Sequence, residues 1–77
     1  MPSEKTIVRK EEVVALSQRE IMIIQMVANE KSRDEIADHF ELSTRTIEAD
    51  IYRMMAKVGT KTQEGTIALF FRNGLIK

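Results

Sequence analysis

Between Ser43 and Gly59 the chain reads STRTIEADIYRMMAKVG, and this stretch collects most of the side chains with chemistry to offer. Arg45, Arg53 and Lys57 are permanent cations suited to phosphate oxygens, arginine as a planar fork and lysine as a point charge. Glu48 is an acceptor of the kind that takes a hydrogen bond from cytosine N4 in a major groove. It has two alternatives: to pair with Arg45 or Tyr52, three and four residues away, and orient them, or to be plain surface. Asp50 reads as a solvent-side residue or as an intradomain partner of Arg53 or Lys57. Arg45, Arg53 and Lys57 themselves are either phosphate contacts or one solvated helix face.

Bond-making chemistry is poorly supplied. The chain has no cysteine and one histidine, and it has no phosphate-cradling glycine loop. At 77 residues it also has little room for a deep pocket, so no enzymatic activity and no cofactor are expected. His39, with Asp38 beside it and Glu35 four residues back, lacks enough neighbours for a metal site and reads as a capping or surface residue near a helix C-terminus. The methionines are core fillers.

Net charge is zero, but its distribution is uneven. Residues 11–42 hold three basic against eight acidic side chains, whereas residues 43–61 hold four basic (Arg45, Arg53, Lys57, Lys61) against two acidic. That is a local basic patch rather than a strongly basic stripe. With 43% hydrophobic and 31% charged residues the chain has the composition of a folded globular domain. No apolar run approaches the roughly 18 residues of a membrane span. The start, MPSEKTIVRKEEVVA, lacks the apolar core of a signal peptide. A cytoplasmic protein without membrane contact is expected.

The elements that position these residues are helical, because apolar side chains recur at helical spacing and Gly and Pro are scarce. Residues 1–13 read as a flexible arm or linker, ordered only near Val13 to Leu16, and 14–77 as the domain. Ser17 and Glu20 form a capping box that opens a first helix ending near Asn29, with Ile21, Ile24, Val27 and Ala28 along one face and Met22, Ile23 and Met26 broadening it. Ser32 and Glu35 form a second box, opening a short helix to about residue 40 whose apolar side is Ile36, Ala37 and Phe40. Leu42 is expected to be buried in the turn that follows. Ser43 caps the third helix, Ile47, Ile51, Met54 and Val58 form its inward stripe, and Gly59 ends it. A 100° step per residue then turns Arg45, Ala49, Tyr52, Arg53 and Ala56 outward, with Glu48 at the side. The fourth helix runs from about Thr62 to Asn73, Asn73-Gly74 caps it, and Leu75 and Ile76 return to the core. Its apolar residues 67–71 point all round, so a surplus face at Ala68 and Leu69 either packs on a second copy or is ordinary core with one side chain left out. The fold class is all-α, a compact four-helix domain. A short helix, a tight connector and a longer helix with a polar face make a helix-turn-helix, whose second helix enters the major groove.

From Leu16 to Ile76 the chain resembles the LuxR/NarL-type (GerE-like) DNA-binding domain of bacterial transcription factors. Leu16, Arg19, Glu20, Ala28, Ser32, Glu35, Ile36, Ala37, Ser43, Thr46, Lys57, Gly59, Gly74, Leu75 and Ile76 fall in register with that family without a gap. The resemblance implies base reading by Glu48, Ala49 and Tyr52. It implies phosphate contacts from Ser32, Thr44, Arg45, Thr46, Arg53 and Lys57, and a dimer through the fourth helix at Ala68, Leu69 and Arg72. It also implies sequence-specific binding of double-stranded DNA in transcription regulation, a homodimer, the output-domain role of a response regulator, and RNA polymerase as a further partner. No small-molecule ligand is expected in this domain. The chain departs from the family pattern at Glu48 (Lys or Glu in the family), at Asp50 in place of a frequent His, and at Glu30 in place of a common Gly. Lys31 stands where an apolar residue is usual, and Gln63-Glu64-Gly65 replaces Arg-Thr-Glu. A sigma-factor-like promoter reader shares the motif, but the apolar fourth helix favours the regulator. The competing class is a protein-interaction module with a degenerate helix-turn-helix that does not bind DNA, which zero net charge and the acids at 48 and 50 favour.

Overall fold

Each helix among the described residues begins at a hydroxyl side chain that takes over an otherwise unpaired backbone amide. The computed structural model describes residues 16–77, and the expected arm, 1–13, lies outside the described residues. Helix α1 spans Gln18–Ala28, α2 Arg33–Phe40, α3 Thr44–Val58 and α4 Gln63–Arg72, with no strand among the described residues. Ser17 accepts from the Glu20 amide at 3.0 Å while Glu20 accepts from the Ser17 amide at 2.8 Å. Ser32 and Glu35 repeat the arrangement at 3.1 and 2.8 Å. Ser43 and Thr62 cap α3 and α4 by accepting from the amides of Thr46 and Gly65. Such caps are worth about 0.5–2 kcal/mol each. The Gln63-Glu64-Gly65 departure is thus accommodated as the first turn of α4.

Helix α3 is the hub, packed against each of the other three, and α1 also packs on α4. Its stripe of Ile47, Ile51, Met54 and Val58 is buried as its spacing requires, and each side chain so removed from water contributes about 1.5–3 kcal/mol. Ile23, Ile24 and Val27 of α1, Ile36 and Ala37 of α2, Leu69 and Phe70 of α4, and Ile76 complete the core. Helix α1 is therefore rotated relative to the expected face. Ile23 is fully buried, Ile21 and Ala28 are half-buried, and Met22 is exposed. Phe40, Leu42 and Leu75 pack against the core as partly buried neighbours.

The connectors rely on left-handed backbone. Gly59 (φ 78°) ends α3 and Gly74 (φ 72°) follows α4, conformations that glycine adopts without penalty. Glu30 (φ 64°) and Glu41 (φ 57°) adopt the same conformation with a side chain attached. Glu41 opens the turn between α2 and α3, closed by the Leu42 amide donating to the Ala37 carbonyl at 2.9 Å. The chain end is tied down as well: the Gln25 side chain exchanges two hydrogen bonds, at 2.8 and 3.0 Å, with the backbone of Lys77.

Candidate nucleic-acid interface

With its stripe turned inward, α3 presents Arg45, Glu48, Ala49, Tyr52, Arg53 and Ala56 to solvent. Tyr52 is 72% exposed, unusually open for so large a ring. Arg45, Glu48 and Tyr52 make no hydrogen bond or ion pair among the described residues, so Glu48 is not engaged by either of its two candidate neighbours. All three sequence-predicted base-facing residues, Glu48, Ala49 and Tyr52, thus lie on one exposed face.

The hydroxyl residues expected at phosphates sit at two helix starts, Ser32 at the start of α2 and Thr44 and Thr46 in the first turn of α3, beside the cap Ser43. Ser32 and Ser43 are exposed, and Thr44 and Thr46 are half-buried. Ser32 uses its oxygen to accept from the Glu35 amide, which leaves the hydroxyl hydrogen to donate. The Ser32 amide bond is the main reason the Glu35 carboxyl lies below its ordinary value, and the slight burial of the group works against it. At the start of α3, Ser43 Oγ and Thr46 Oγ1 are 2.9 Å apart and share one hydrogen.

The basic residues divide. Arg45 projects freely, whereas Lys57 is half-buried and its Nζ lies 3.0 and 3.1 Å from the two carboxylate oxygens of Glu20. Burial pushes the Glu20 carboxyl up, but the Ser17 amide and the Lys57 ammonium together outweigh it and hold the group below its usual range. Lys57 therefore serves first as the cation that permits a carboxylate to be buried between α1 and α3. Arg53 is 54% exposed and donates to Asp50 Oδ1 at 2.7 Å.

Of the two readings of Asp50, solvent-side residue or intradomain partner, the structure supports the second. Asp50 is fully buried, at the edge of the stripe and one turn from both Ile47 and Met54. Of its two expected partners only Arg53 engages it. The other is Arg19 of α1, whose Nη2 lies 2.8 Å from Oδ2. Oδ2 accepts no hydrogen bond of good geometry from any described residue, so Arg19 faces it as a charge rather than as an aligned donor. Arg19 was missed as a functional candidate because its partner lies far away in the chain.

A second group absent from the sequence reading lines the opposite flank of α3. Arg33, Glu48, Ile51, Tyr52, Met55, Lys61, Thr62 and Gln63 surround an open cleft of about 310 Å³. Its far wall is tied together by Arg33 donating to Gln63.

The expected dimer residues also divide. Leu69 is 1% exposed and belongs to the core, so it cannot offer a face to a second copy. Ala68 is half-buried and Arg72 exposed. The apolar side chain that α4 leaves in water is Phe71, 63% exposed. His39 lies exposed in the last turn of α2, edge-on to Phe40 with ring centroids 4.8 Å apart. Among the described residues no His, Cys, Asp or Glu side chains gather into a metal-binding group, and no helix is long and apolar enough to cross a membrane.

Among the described residues four helices in this order, with α2 and α3 joined by three residues and an open polar face on α3, make a helix-turn-helix. Residues 14–70 match the family described as "Bacterial regulatory proteins, luxR family". No curated protein and no solved structure matches the chain. The match covers most of the sequence and the whole helix-turn-helix, and its members are DNA-binding transcription regulators: the chain belongs to the luxR family of bacterial regulatory proteins.

Proposed function

We propose that the domain regulates transcription in the bacterial cytoplasm by setting α3 into the major groove of double-stranded DNA. Glu48, Ala49 and Tyr52 meet base edges, while Ser32, Thr44, Arg45, Thr46 and Arg53 hold phosphates. The observation that carries this reading is the outward face of α3, where Arg45, Glu48 and Tyr52 have no intradomain partner among the described residues. The burial of Asp50 strengthens it, because one of the two acids that argued against DNA is withdrawn from the face and neutralised. Lys57 joins the phosphate contacts only through whatever donor capacity its bond to Glu20 leaves. Pairing of two domains on repeated half-sites would use Ala68, Phe71 and Arg72 of α4.

The competing reading, a protein-interaction module that does not bind DNA, draws on zero net charge and the cleft beside α3. Duplex binding measured at two salt concentrations separates the two, since phosphate contacts make affinity fall steeply with salt. Site selection with the parent and Glu48→Lys then tests base reading. An unchanged preferred sequence would remove Glu48 from the reading set, and absence of salt-dependent binding to any duplex would favour the interaction module.

A further inference from the structure

The cluster at Asp50 is more elaborate than the stability of the core requires. A well-packed apolar side chain commonly serves a buried position as well as an ion pair does. Here one fully buried carboxylate faces two guanidiniums, at 2.7 and 2.8 Å, and both arginine side chains are about half exposed, at 54% and 44%. The carboxylate is shielded from solvent while the guanidiniums are not, so what the surface displays is the surplus positive charge. A guanidinium has five N–H donors in a rigid fork. Arg53 makes no hydrogen bond beyond the one to Asp50 Oδ1, and Arg19 makes none, among the described residues, so most of those donors are available. Holding a long side chain in one geometry costs rotamer entropy, and Asp50 has already met that cost for both.

We propose that Arg19 and Arg53, held side by side on Asp50, form a phosphodiester-binding site that extends the DNA contact beyond the helix-turn-helix onto α1. Asp50 is its positioning residue. The inference rests on the DNA-binding reading above and adds to it a contact from outside the motif. Arg53 lies on the flank of α3 next to its outward face, so a backbone phosphate bordering the groove that α3 enters is the group within reach of this edge. The fork geometry of arginine matches the paired oxygens of a phosphodiester. In this arrangement Arg19 contributes affinity without contributing sequence preference.

The test is a salt titration of duplex binding by the full chain, with Arg19→Gln, Asp50→Asn and, as a control for bare loss of charge, Lys77→Gln. Thermal melts establish that each variant is folded at the assay temperature. For Arg19→Gln the log–log salt slope is expected to fall by about 0.9, the value of one phosphate contact, while the sequence preferred in site selection stays the same. Lys77→Gln is expected to leave the slope within error of the parent. Asp50→Asn raises the net positive charge, yet binding is expected to weaken several-fold because the two forks are released. Arg19→Lys restores the slope but only part of the affinity. A parent slope retained in Arg19→Gln would overturn the site, and tighter binding by Asp50→Asn would overturn the positioning role. A parent chain with no salt-dependent binding at all would overturn the DNA reading itself, a result distinguishable from either.

Discussion

The two flanks of α3 are built on opposite principles. On the side of α1 the helix is held by charge: Glu20 engages Lys57, and Asp50 engages Arg19 and Arg53, all at 2.7–3.1 Å. Both carboxylates are buried, where the local dielectric is low and an unpaired charge is costly. On the side of α4 and the start of α2 no ion pair crosses to α3 among the described residues. An open cleft of about 310 Å³ stands there instead, with Arg33 and Gln63 joined across its far wall. The difference teaches that the rotation its apolar stripe gives α3, and with it the direction of Arg45, Ala49 and Tyr52, is braced by ion pairs from the α1 side alone among the described residues. The cleft side leaves Glu48 and Tyr52 room to adjust to whatever lies against them.

The largest expected effect comes from stripping Asp50 of both arginines. Arg19→Gln with Arg53→Gln leaves a buried carboxylate without a cation, at a cost of about 3–5 kcal/mol, a large share of the margin of so small a domain. Urea unfolding at neutral pH measures it, and adding Asp50→Asn to the double variant should recover much of the loss. An unaltered midpoint in the double variant would show that charge does not hold this flank.

Lys57→Met should cost less, about 1–3 kcal/mol, because Glu20 keeps the Ser17 amide. Its signature lies in pH. The Glu20 carboxyl is lowered in the folded chain from an ordinary value of 4.5, so its contribution is complete above about pH 4.5 and is lost as pH falls through the folded value. Without Lys57 the burial that raises this group is less opposed, and the acid-dependent loss should shrink. Thermal midpoints collected from neutral pH down to pH 3 should therefore converge toward acid. Parallel profiles for parent and variant would exclude the pairing as the source of the shift.

On the cleft side, Arg33→Ala should be the mildest of the three, at about 0.5–1 kcal/mol by thermal melt. It breaks one hydrogen bond in a region open to water and leaves no buried charge behind. A loss as large as that of the double arginine variant would erase the contrast between the flanks.

Local signals in the sequence carried most of the fold. Ser17 with Glu20 and Ser32 with Glu35 mark helix starts because a cap is a bond between residues three apart. Ile47, Ile51, Met54 and Val58 set the rotation of α3 because only one face of that helix is apolar. The fourth helix shows where such reasoning ends. Residues 67–71 are apolar on every side, so periodicity could not tell that Leu69 faces the core and Phe71 faces water. The same limit hid the charge network. Glu20 and Lys57 are 37 positions apart, and nothing local distinguishes Asp50 from a surface acid until α1 is laid beside α3. The face of α3 was legible, while the charged side chains that brace it against α1 were not.

Glu30 and Glu41 occupy left-handed backbone that glycine would fill without strain. A glutamate codon becomes a glycine codon by one nucleotide change. The turn before α2 and the turn before α3 therefore lie a single mutational step from a more relaxed backbone, at exposed positions outside α3 and outside the core. Should a change in a groove-facing residue cost the domain stability, either step is an accessible route by which a lineage could regain it, leaving the reading surface free to vary.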